Sequence, residues 1–107
     1  MFGSLFGSAE IKAFAHALAD EFAPHLSADV AATQATRAGL KHMERRFSEA
    51  EARALAFARE RRLGVLGKAR LCNALRWRLK DQGTDPQLSA AFMERIVNAV
   101  SRDRARA

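Results

Sequence analysis

Residues that build β-sheets are nearly missing from this chain, and that absence leaves it little choice of fold. Nine of 107 residues are β-branched (Val30, Val65, Val97, Val100, Ile11, Ile96, Thr33, Thr36 and Thr84), and tyrosine does not occur. Such residues suit a pleated surface because their χ1 freedom is already restricted. Ala, Leu, Arg and Glu, which lose little on entering a helix, take their place. No stretch alternates polar and apolar residues for long. The expectation is an all-α fold, a small bundle of four to five helices in one domain of 107 residues.

Periodicity and capping place the helices. Phe2, Leu5 and Phe6 form a short apolar N-terminal segment (1–8), which Gly3 and Gly7 argue should not be stable helix. Ser8 caps a first helix over 9–23, with Ile11, Phe14, Ala15, Leu18 and Phe22 on one face. Pro24 ends it, because the residue before a proline avoids helical geometry. Ser27 caps a second helix over 28–46, striped by Ala31, Ala35, Gly39, Met43 and Phe47. Ser48-Glu49-Ala50-Glu51 matches a capping box, so a break at Phe47–Ser48 and a third helix over 49–63 are expected. One helix from 28 to 63 is the alternative, since neither Gly nor Pro enforces the break. Gly64 and Gly67 punctuate the chain before a fourth helix over 67–82, with Leu71, Cys72, Leu75 and Leu79 inward. Gly83 stops it. Asp85 and Pro86 then open a fifth over 86–101, whose buried face is Leu88, Phe92, Ile96, Ala99 and Val100. Residues 102–107 lack an apolar pattern and should fray.

The apolar content is Ala-rich: 23 alanines among 49% hydrophobic residues. Thin helices that bury modest area per residue result, so stability that leans on self-association is an expectation.

Charge is uneven along the chain. Residues 41–80 hold twelve basic and four acidic groups, whereas residues 1–40 hold two and four, and residues 81–107 four of each. A polyanion-binding face is one reading, because arginine forks phosphate and an exposed Trp can stack on an unpaired base. Its candidate residues are Arg59, Arg62, Lys68, Arg70, Arg76, Trp77 and Lys80. A solvated face is the plainer reading. A helix-turn-helix does not fit: with Gly64 at the turn, Arg70 falls on a buried position, and with Gly67 there, Lys68 and Asn73 do.

Catalytic chemistry has no visible home. A glycine-rich phosphate loop, GxSxG and HExxH are all missing, and Cys72 has no histidine near it in sequence. His16 and Asp20 supply at most half a metal site. Neither enzyme activity, nor a cofactor, metal or small-molecule substrate is expected. One cysteine cannot form an internal disulfide, and the N-terminus lacks the basic and apolar regions of a signal peptide, which points to the cytoplasm. A lone nearby cation, Lys12, argues against a membrane surface. The leading expectation is a protein–protein or self-associating module using Phe2, Leu5, Phe6 and the small residues of the second helix. Nucleic-acid binding through residues 41–80 is the alternative.

Overall fold

The computed structural model describes residues 2–33 and 36–103, with side chains from Ser8 onward except Thr33. Among these residues the chain is helical without strands: α1 (Phe2–Phe22), a 3-10 turn (Ala23–Leu26), α2 (Ala28–Thr33), α3 (Arg37–Glu60), α4 (Val65–Asp81) and α5 (Pro86–Ser101). The all-α bundle expected from composition is what forms.

The principal pairings are α1 with α4 and α3 with α5, and α4 also packs on α5. A single core cluster threads all four long helices. Alanines sit where backbones approach most closely: Ala15 and Ala19 in α1, Ala50, Ala54 and Ala58 in α3 are all fully buried. Aromatic rings fill the wider gaps. Phe14 and Phe57 stack at 4.1 Å, joining α1 to α3, and Phe92 of α5 contacts both Phe22 (5.8 Å) and Phe47 (5.4 Å, edge-on). Ion pairs with several hydrogen bonds fix the helices in register: Arg78 of α4 forks Asp20 of α1 at 2.9 and 3.1 Å, and Arg95 of α5 forks Glu44 of α3 while also reaching Glu51. Those partners hold the Asp20 and Glu44 carboxyls below the ordinary range.

Caps behave as the sequence suggested at three places. Ser27 Oγ accepts from Val30 N at 3.2 Å, Asp85 Oδ2 accepts from Leu88 N at 3.0 Å, and Gly83 takes the left-handed conformation (φ +72°) that stops α4. Elsewhere the boundaries move. Helix α1 starts at Phe2 rather than residue 9, so Ser8 is not a cap. Extending an established helix adds a hydrogen bond per residue, which offsets the ~1 kcal/mol cost of each of Gly3 and Gly7. No break occurs at Phe47–Ser48. Helix α3 runs through it, with Phe47 buried and Glu51 turned to Arg95 and Arg102 instead of closing a capping box. The interruption lies earlier, where Thr36 caps α3 by accepting from Gly39 N at 2.9 Å. Neither two helices split at 47–48 nor one helix from 28 to 63 is therefore correct. Helix α4 begins two residues before Gly67, with Gly64 at its N-cap. Arg102 and Asp103 do not fray: Arg102 lies 3.7 Å from Glu51, and Asp103 is held by Lys68. Residues 104–107 lie outside the described residues.

Candidate functional site

Helix α4 is squeezed between α1 on one side and α5 on the other, and its third side faces out. Leu71, Leu75 and Leu79 recur every fourth residue and point into the core. A second series, Val65, Ala69, Cys72 and Arg76, recurs at three- and four-residue spacing a fraction of a turn away and lines the outer seam with α5. Helix α5 repeats this arrangement. Phe92 and Ile96 face inward, while Pro86, Ala90, Met93 and Val97 line the seam.

The two helices run antiparallel through the turn Gln82–Asp85, which is pinned to the 3-10 turn because Asp85 N donates to the Leu26 carbonyl (2.7 Å). At its other end the hairpin is closed by Asp103. Lys68 Nζ donates to the Asp103 carbonyl and lies 3.7 Å from its carboxylate, and Arg59 Nε lies 3.6 Å from the same carboxylate. Between these ends the seam opens into two cavities of about 520 and 690 Å³, which share Arg76 and Val97 as common walls. They form one groove along the hairpin. Its floor is apolar and small, and among the described residues no helix covers it. Val65 (88% exposed) and Val97 (41%) are apolar side chains left in solvent along it, and Leu66 (65%) and Trp77 (54%) are exposed on α4 outside its lining.

The sequence-predicted basic residues do not form one patch. Of the twelve in 41–80, Arg46, Arg53, Arg59, Arg61, Lys68 and Arg78 are ion-paired within the chain. Arg59 and Lys68 thus act as a structural clamp on Asp103. Arg62 sits in the α3–α4 turn with a positive φ of 52°. Arg70 lines a shallow recess of about 330 Å³ between α1 and α4, beside Lys12 and Asn73. What the fold does bring together is the outside of α4: Arg76 at the middle of the groove, Lys80 one turn on, and Trp77, whose ring lies 5.0 Å from Lys80 Nζ. Arg70 stands two turns before Trp77 on its line. Among the described residues, Arg62, Arg70, Arg76 and Lys80 have no acidic partner.

The side chains of Phe2, Leu5 and Phe6 lie outside the described residues, as does Ala35. Of the remaining small residues expected to form a docking face, Ala31 packs against the core and Gly39 is half-buried. The groove described above lies on other helices, α4 and α5. Met93 and Val97, and Val65 and Ala69 opposite them, escaped notice because only the first apolar stripe of each helix was followed. A second stripe at three- and four-residue spacing was present in the sequence and was the available signal.

Cys72 is buried at the bottom of the groove, and burial raises its thiol above the ordinary range. Among the described residues no group of three or more His, Cys, Asp or Glu is placed to hold a metal ion, and no helix is long and apolar enough to cross a membrane. Comparison with protein-family models, curated proteins and solved structures returns no match.

Proposed function

We propose that this chain is a non-enzymatic protein-interaction module that docks a partner polypeptide in the α4–α5 groove, acting in the cytoplasm. The observation that carries the reading is the uncovered second stripe. Apolar side chains of both helices line a continuous groove, with Arg76 and Lys80, unpaired among the described residues, in its wall and the exposed Trp77 against Lys80. Contiguous exposed apolar surface rimmed by polar groups is uncommon unless it is used, and Trp and Arg are the side chains most enriched where binding energy concentrates.

Nucleic acid is the second reading, favoured by the shared exposure of Arg70, Arg76, Trp77 and Lys80 on α4. Half of the basic residues of 41–80 are already spent on internal pairs, which weakens it.

Capture of polypeptides by the immobilised protein at low and at high salt, with Val97→Asp alongside, separates the two. A docking module retains its captured chain at high salt, since apolar burial is not screened, and loses it with Val97→Asp. Anisotropy titration against labelled single- and double-stranded oligonucleotides runs in parallel. Saturable binding at physiological salt that disappears in the Arg70→Glu/Arg76→Glu/Lys80→Glu variant, without groove-dependent capture, overturns the docking reading.

A further inference from the structure

We infer that the occupant of the α4–α5 groove is an amphipathic α-helix carrying acidic residues beside its apolar stripe; this rests on the docking reading above. Shape gives the first argument. Helix α4 spans 17 residues, so the groove runs about 25 Å, the length of a partner helix of four to five turns. The lining alternates at helical spacing on both walls: Val65, Ala69 and Cys72 on one, Ala90, Met93 and Val97 on the other. Two such walls with small residues between them accept the convex ridge of a third helix, in the manner of ridges packing into grooves. A two-fold copy of the same face would set concave seam against concave seam and leave the space unfilled.

Charge gives the second argument. Lys68 and Asp103 neutralise each other at one end of the groove. Along the rest, Arg76 and Lys80 line the α4 wall without acidic partners among the described residues. Among the described residues Glu94 is the one acidic residue lining the cavity near the α4–α5 turn. A partner with Asp or Glu along the side that meets α4 pairs with Arg76 and Lys80, and one with Lys or Arg there is repelled. Rim charges of this kind set orientation and exclude wrong partners more than they add affinity.

The chain provides its own reporter, because Trp77 is its single tryptophan and its ring lies against Lys80, which lines the groove. The probes are three synthetic helical peptides of about eighteen residues with the same leucine stripe, flanked by Glu, by Gln or by Lys. Titration is followed by Trp77 emission and by NMR shift mapping of the protein. The expected result is saturable binding of the Glu peptide, mapped to Ala69, Met93 and Val97. Arg76→Glu/Lys80→Glu should weaken it about tenfold or more and tighten the Lys peptide. Both substitutions are on exposed side chains, and circular dichroism verifies that helicity is kept.

Equal binding of the Glu and Gln peptides overturns the acidic assignment while leaving the docking reading standing. Peptide shifts mapped away from the seam overturn the groove as the helix site. A concentration-dependent mass in sedimentation, abolished by Val97→Asp, makes the occupant a second copy and overturns the inference. Displacement of the Glu peptide by an oligonucleotide at physiological salt makes it nucleic acid. Failure of all three peptides, with the protein monomeric, overturns the inference and the docking reading together.

Discussion

Phe92 is the ring on which the two halves of the bundle meet, so Phe92→Ala tests how the core is held. The side chain is fully buried and touches Phe22 of α1 and Phe47 of α3. Removing most of a buried ring forfeits about 100–150 Å² of apolar burial, roughly 2.5–4 kcal/mol at ~25 cal/mol per Å². Losing two aromatic contacts adds about 0.5–1.5 kcal/mol each, and relaxation of neighbours returns part of it, so the expected loss is about 3–5 kcal/mol. A chain of this size has a total stability of about 5–15 kcal/mol, and its Ala-rich core places it toward the lower end. The variant is therefore expected to sit near its unfolding threshold at 25 °C. Urea denaturation followed by circular dichroism measures this directly, with Phe92→Leu as a control that keeps most of the volume and loses less than half as much. A Phe92→Ala loss below about 1.5 kcal/mol with an unchanged m-value would refute the placement of Phe92 at the centre of the core.

Three smaller perturbations address local elements. Asp85→Ala removes the acceptor for Leu88 N and should cost about 1 kcal/mol by the same denaturation assay, with Asp85→Asn losing only a fraction. Gly83→Ala meets no steric obstacle but forces a Cβ into φ +72°, for an expected loss of about 1 kcal/mol in thermal or urea unfolding. His25 is held below its ordinary value of 6.5, chiefly by burial and then by the nearby Arg46 and His42, against weaker opposing effects of Glu49 and Glu21. Because the folded state disfavours the proton, stability is complete above the unfolded value and falls as pH drops through 6.5 toward the folded value. Melting temperature should decline between pH about 7.5 and about 5.5, and His25→Gln should flatten that decline.

How much was legible in the sequence depended on the range of the interaction that wrote it. Asp85, Pro86 and Gly83 declared the α4–α5 turn because capping and left-handed geometry act within four residues. The core faces of α1, α4 and α5 were equally plain, each a series of apolar residues at helical spacing. Ser48 and Glu51 misled for the same reason that local rules are weak priors. A capping box was available locally, but Glu51 found Arg95, 44 residues away, and the buried Phe47 kept the helix continuous. The fate of the basic residues is likewise set at long range. Twelve crowd residues 41–80, yet Arg78 meets Asp20, 58 residues before it, and Arg53 meets Glu21, 32 residues before it.

By itself the sequence determined the class of fold, the helix faces that must be buried and the turns that join α4 to α5. These are consequences of backbone propensity and of contacts three or four residues apart. Tertiary structure decided which of two apolar stripes on α4 and α5 each neighbour would cover. With α1 against α4 and α3 against α5, the inner stripes are consumed by the core and the outer seam is left open. It also decided which arginines keep their charge for an outside partner, because an ion pair is made by two elements arriving at one place, and spacing along the chain carries no record of that.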